Sequence, residues 1–186
     1  MTRHQKTAPN ITSKVAAIAV AASLSAGAGW ADSISGPQGK LFVDEGGSGG
    51  VPVVFIHSFE GDTTHWTAQL EHLRTKRRAI ALDLRGHGQS QPPADGDYSV
   101  TEVVADLASV TETLKLERFV LVGHSMGGPV AIAYAAENPS QVAGLVLVAS
   151  AAKSPPEMAN QVITSLEQDF STVYAGYAET MLTGAQ

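Results

Sequence analysis

Phe119-Val-Leu-Val-Gly-His-Ser-Met-Gly-Gly-Pro-Val130 decides the fold. Its first four residues are apolar and rich in β-branching. They read as a strand buried on both faces of a parallel sheet. Gly127 through Glu137 then reads as an alanine-rich helix, whose small faces allow close approach to a sheet. Between strand and helix stands Gly123-His-Ser-Met-Gly127. Two glycines four residues apart let the backbone turn sharply and leave the Ser125 side chain at the tip.

Working upstream, Val51-Pro-Val-Val-Phe-Ile56 and Ala79-Ile-Ala-Leu82 are further apolar strands. Trp66, Leu70 and Leu73 recur between them at helical spacing. Ser99 and Glu102 stand as a capping box before a stripe of Val103, Leu107, Val110 and Leu114. Downstream, Val142 to Val148 is another apolar strand. Lys40 to Val43 is a short strand set among glycines. Strands alternating with helices predict an α/β fold: a doubly wound, mostly parallel sheet with helices on both faces. After Pro155-Pro156 the pattern changes. Met158, Val162, Leu166, Phe170, Val173, Tyr177 and Met181 repeat every three to four residues, with no strand signal afterwards. Such amphipathic helix is expected to cover the mouth of a site.

A serine hydroxyl is a poor nucleophile at neutral pH and needs exposure, a general base and donors for an oxyanion. The turn supplies the exposure. It also points N–H groups at the start of the next helix into the site, so Met126 N–H is the first expected oxyanion donor, aided by the helix dipole. A second donor is expected from His57-Ser-Phe-Glu-Gly61, with Phe59 N–H the best placed.

These segments, with Asp83-Leu-Arg-Gly-His-Gly-Gln-Ser90, resemble the α/β-hydrolase fold family, of the esterase, lipase and carbon–carbon hydrolase type with a helical cap. The resemblance covers roughly residues 40–150 and specifies the fold rather than a substrate. It implies that Ser125 is the acyl-accepting nucleophile and that Phe59 and Met126 form the oxyanion hole. One departure is visible: the family usually has His-Gly after the first strand, where this chain has His57-Ser58. The resemblance also implies an acid after a later strand and a histidine near the C-terminus.

Neither follows Ser125 in the expected place. Beyond residue 150 the only acids are Glu157, Glu167, Asp169 and Glu179, all in the cap-like stretch, and no histidine follows Ser125. His57 reads as a brace for the oxyanion loop. His87 reads as structural, His65 and His72 as surface helix residues, and His124 as pointing away from its neighbour Ser125. The expectation is a sheet incomplete at the C-terminus: the N-terminal part of a larger enzyme, with residues 32–150 as core and 151–186 as the start of a cap. Such a piece is expected to be inactive alone.

Residues 1–31 read as a signal peptide. Arg3, Lys6 and Lys14 precede an alanine-rich apolar run, and Gly29-Trp30-Ala31 supplies small residues at a cleavage site. The run is about 15 residues, too short to span a membrane permanently. Cleavage after Ala31 leaves 155 residues and takes the net charge from −6 to −9, because three basic and no acidic residues are lost. A periplasmic or secreted location follows.

With 12 basic against 18 acidic residues there is no basic stripe for a nucleic acid. The absence of cysteine rules out a disulfide framework, a thiolate metal site and a cysteine nucleophile. No His-Glu-x-x-His is present, and no cofactor or metal is expected. The function expected is serine-dependent hydrolysis of a small carboxylic ester or related acyl substrate. Carbon–carbon hydrolysis, perhydrolysis and a non-catalytic binding role on the same scaffold are the alternatives. Serine at 125 argues against haloalkane dehalogenase or epoxide hydrolase chemistry, which needs an aspartate there. The lack of a Gly-x-Gly-x-x-Gly after the first strand argues against a dinucleotide.

Overall fold

A computed structural model describes residues 30–150 and Thr164. The expected leader and cap lie outside the described residues, apart from Trp30, Ala31 and the helical Thr164.

The strands are β1 (Trp30–Ser35), β2 (Lys40–Gly46), β3 (Val53–Ile56), β4 (Ala79–Leu82), β5 (Phe119–His124) and β6 (Val142–Val148). The helices are a 3-10 turn (Thr63–Trp66), α1 (Thr67–Arg74), α2 (Val100–Thr113) and α3 (Gly127–Glu137). One six-stranded sheet runs in the order β1-β2-β4-β3-β5-β6. The four strands from β4 to β6 are parallel, as the apolar runs predict, while β1 and β2 pair antiparallel to their neighbours.

Strand periodicity sorts the core into two layers. Val54 and Ile56 join Leu121, Leu107, Val110, Val130 and Tyr134 on the face carrying α2 and α3. Val53, Phe55 and Val122 turn the other way, onto Trp66 and Leu70. Both faces of the inner strands are therefore covered, which is why their sequence is continuously apolar.

Three features were not anticipated. β1 takes in Trp30 and Ala31, which pair with Glu45 and Asp44 at the end of the expected leader. β2 runs on through Asp44 and Glu45, whose carboxylates meet Arg74 at 2.8 Å and Arg78 at 2.5 Å. The capping box is half formed. Ser99 Oγ accepts from Glu102 N–H at 3.4 Å, but the Glu102 carboxylate faces Arg85 at 3.5 Å instead of returning to the cap.

β6 forms one edge. Among the described residues it pairs with β5 alone, and Leu145, Val146, Leu147 and Val148 are all exposed. No helix among the described residues is long and apolar enough to cross a membrane.

Candidate active site

The topology creates the site. From β3 the chain moves outward to β4, then returns across β3 to β5. β3 and β5 are neighbours in register, Ile56 opposite Gly123, and both end at the same level. The loops that leave them diverge from this reversal point, where open α/β sheets hold their ligands. Those loops carry Phe59 and Ser125–Met126.

Close contact brings them together. A Cβ on Gly127 would lie 2.7 Å from the His57 carbonyl oxygen and 2.8 Å from that of Ile56. Only a bare Cα lets the first turn of α3 sit against the end of β3. On the other side, a Cβ on Gly123 would lie 2.5 Å from the Gly127 carbonyl oxygen. The two glycines of the sequence pattern are thus needed for two separate approaches.

Ser125 has φ 48°. A left-handed backbone at a non-glycine residue costs roughly 1–2 kcal/mol and persists only where its surroundings impose it. The constraint is visible. Ser125 N–H donates to Val148 O at 2.9 Å. Its carbonyl accepts from Gly128 N–H and from Ser150 Oγ, each at 2.9 Å. Ser150 packs directly against Gly128, leaving no space for a side chain there. Sequence reading gave Ser150 no role, because nothing local in it signals a bond reaching back 25 residues.

Met126 is half-buried at the N-cap of α3, and Phe59 is exposed in the loop after β3. Among the described residues neither backbone N–H has a hydrogen-bond partner. The Ser58 difference is accommodated without strain. Ser58 keeps a negative φ, and the left-handed residue of this loop is Glu60, with φ 55°.

The histidines fall into place by their partners. His57 is fully buried, and both its ring nitrogens are engaged, Nε2 by Leu84 N–H at 2.9 Å and Nδ1 by Ser58 O at 2.7 Å. That ring has no lone pair left for Ser125. His124 packs edge-on against Trp66, with ring centres 6.2 Å apart. The His87 ring nitrogen Nδ1 lies 3.1 Å from Arg85 O. His65 and His72 are exposed. The hydrogen bonds of Ser125 among the described residues are all made by its backbone.

The loop after β4 is bonded to the segment that follows β3. Asp83 is buried, accepting Thr63 N–H at 2.6 Å and Gln89 N–H at 2.7 Å. Arg85 is buried too. Its guanidinium grips the Asp106 carboxylate with two bonds, at 2.6 and 2.9 Å, and donates to the carbonyls of Asp97 and Glu102. The hydrogen bonds to Asp106 raise the Arg85 pKa above its ordinary value and keep it charged.

Residues 51–183 match the family model described as the alpha/beta hydrolase fold. The chain belongs to that family. Two of its solved relatives are esterases. This hydrolase-fold chain superposes on a thermophilic esterase from Thermogutta terrifontis with a TM-score of 0.72 at 32% identity, covering 83% of this chain and 58% of that one. It superposes on the esterase EaEST from Exiguobacterium antarcticum with a TM-score of 0.69 at 30% identity, covering 79% and 59%. A dihydrolipoyllysine-residue acetyltransferase component of the acetoin cleaving system of Pseudomonas putida is 38% identical over 127 residues, 63% of this chain and 34% of that protein. The chain thus spans between a third and three fifths of the length of these relatives.

Proposed function

We propose that Ser125 is the nucleophile of a serine hydrolase acting on small carboxylic esters through an acyl-enzyme. The observation that carries this reading is the left-handed Ser125 between β5 and α3, held there from three directions. Likeness to two esterases supports the ester as substrate class.

In this reaction Ser125 Oγ attacks the ester carbonyl carbon and gives up its proton to a base. The carbonyl oxygen becomes an oxyanion facing Met126 N–H and Phe59 N–H. Collapse expels the alcohol, which takes the proton, and leaves Ser125 acylated. Water then releases the carboxylic acid by the same steps in reverse. None of the five histidines in the described residues is hydrogen-bonded to Ser125, so the 186-residue chain alone is expected to hydrolyse p-nitrophenyl acetate little or not at all. Robust turnover abolished by Ser125→Ala would overturn that expectation. The nucleophile itself is tested with a fluorophosphonate probe on the protein expressed from its native gene. Labelling at Ser125, lost in Ser125→Ala, is the expected result; an unlabelled native protein would refute the assignment.

The same proposal includes export. Residues 1–31 act as a leader, and N-terminal sequencing of the exported protein is expected to begin at Asp32. Strand β1 then keeps Asp32–Ser35 against Val43–Lys40. A retained Met1 in the periplasmic or secreted fraction would contradict this.

A further inference from the structure

We infer that Ser150 is a positioning residue, whose hydroxyl aims the Met126 N–H by holding the Ser125 carbonyl. The inference rests on the reading of Met126 as an oxyanion donor, and it adds the group that holds this donor from outside its own helix.

Two strands end together here. His124 of β5 stands opposite Val148 of β6 in parallel register. Each strand is followed at once by a left-handed residue, Ser125 with φ 48° and Ala149 with φ 44°. That region is uncommon for a residue without a short polar side chain to bond locally, and alanine has none. The turn at Ala149 has a visible product. It brings the next side chain, Ser150, back to the turn after β5, where its Oγ lies 2.9 Å from Ser125 O. A carbonyl oxygen can only accept, so the hydroxyl donates. The bare Cα of Gly128 makes room for this approach, since a Cβ there would overlap the Ser150 side chain.

Ser125 O has a second donor, Gly128 N–H at 2.9 Å. The two donors differ in origin. Gly128 belongs to the first turn of α3, so its bond travels with that helix. Ser150 belongs to the segment after β6, so its bond ties the start of the helix to the sheet. The Ser125 amide is held by the same strand, through Val148 O at 2.9 Å. The end of β6 therefore grips Ser125 on both sides. Among the described residues, Ser150 supplies the one side chain in that grip.

Ser125 C=O and Met126 N–H belong to one planar trans peptide and point in opposite directions. A carbonyl pinned by donors from two elements cannot swing, and neither can the N–H behind it. That N–H has no partner among the described residues. A donor that is fixed and unpaired needs no reorganisation when an oxyanion forms.

The first test is the rate of fluorophosphonate labelling at Ser125 in the protein expressed from its native gene. The phosphoryl oxygen of the probe takes the oxyanion position, so the rate reads the donors. Loss of a whole oxyanion donor costs roughly a hundredfold to a thousandfold. Ser150→Ala, which loosens one, is expected to lower the maximal labelling rate about tenfold to a hundredfold. The half-saturating probe concentration is expected to stay unchanged. Ser150→Cys nearly keeps the shape packed against Gly128 but donates weakly, so an intermediate rate is expected. A role in packing alone predicts that cysteine matches serine. Labelling of either variant at the parent rate overturns the inference.

The second test reads the geometry without the chemistry. In nitrogen-15 spectra of the 186-residue chain, Ser150→Ala is expected to shift the Met126 amide signal and to leave that of Phe59 in place. Ser150→Cys gives the same reading should the alanine variant not fold. A Met126 signal that stays in place overturns the inference even where labelling falls. A parent protein that is not labelled, with a Met126 amide that does move, sinks the hydrolase assignment alone.

Discussion

Asp106→Ala is expected to remove about 3–5 kcal/mol of folding stability. The carboxylate lies on the buried face of α2 and accepts two bonds from Arg85; both side chains are 2% exposed. Truncation leaves a guanidinium in the core with its charge uncompensated, and water does not reach it. The loss is a large share of the roughly 5–15 kcal/mol that holds a typical domain together. Urea unfolding followed by circular dichroism measures it directly, and a change under 1 kcal/mol would contradict the reading. The double variant Arg85→Met, Asp106→Leu separates charge from hydrogen bonding. Removing both charges is expected to recover part of the loss. Full recovery is not expected, because the carbonyls of Asp97 and Glu102 lose the donors that Arg85 gives them.

Gly127→Ala is expected to destabilise by about 1–3 kcal/mol and to abolish probe labelling of Ser125 in the natively expressed protein. The added methyl would meet the carbonyl oxygens of Ile56 and His57 and the Ile56 side chain within 2.8 Å. Two of those three obstacles are backbone atoms of a central strand and its loop, which cannot give way. The start of α3 must retreat instead, and Met126 N–H retreats with it. Gly144→Ala in β6 is the control. There a methyl meets only the Val120 side chain at ordinary contact distances, 3.7 and 3.9 Å. Its stability is expected to stay within about 0.5 kcal/mol of the parent, or to rise, since glycine is the costlier residue in a strand. Equal effects at the two positions would show that the close approach at Gly127 is unimportant.

Much of this architecture was legible because it is local. The four parallel strands announce themselves as apolar runs, α2 by its spacing, α3 by its alanine-rich run, and the turn at Ser125 by glycines two residues to either side. What was hidden depends on partners distant in sequence. β1, Trp-Ala-Asp-Ser-Ile-Ser, has a single inward apolar residue, Ile34, among the side chains the structure describes. Its order comes from pairing with β2. Asp44 and Glu45 look like a loop until Arg74 and Arg78 neutralise them from 30 and 33 residues away. Asp106 stands beside the apolar stripe of α2 with nothing local to mark it as buried, since its partner lies 21 residues upstream. His57 was readable as a brace. The direction of its two bonds was not, because that depends on where Leu84 falls in space.

The grip of β6 on Ser125 ties the turn to the order of the strand's own end. The serine amide is tethered to the last carbonyl of β6, and its own carbonyl to a hydroxyl two residues beyond that strand. The ends of elements open more readily than core interiors do. When the end of β6 lifts, two of the bonds that impose the left-handed turn are lost in the same movement, and Ser125 is free to relax to an ordinary backbone.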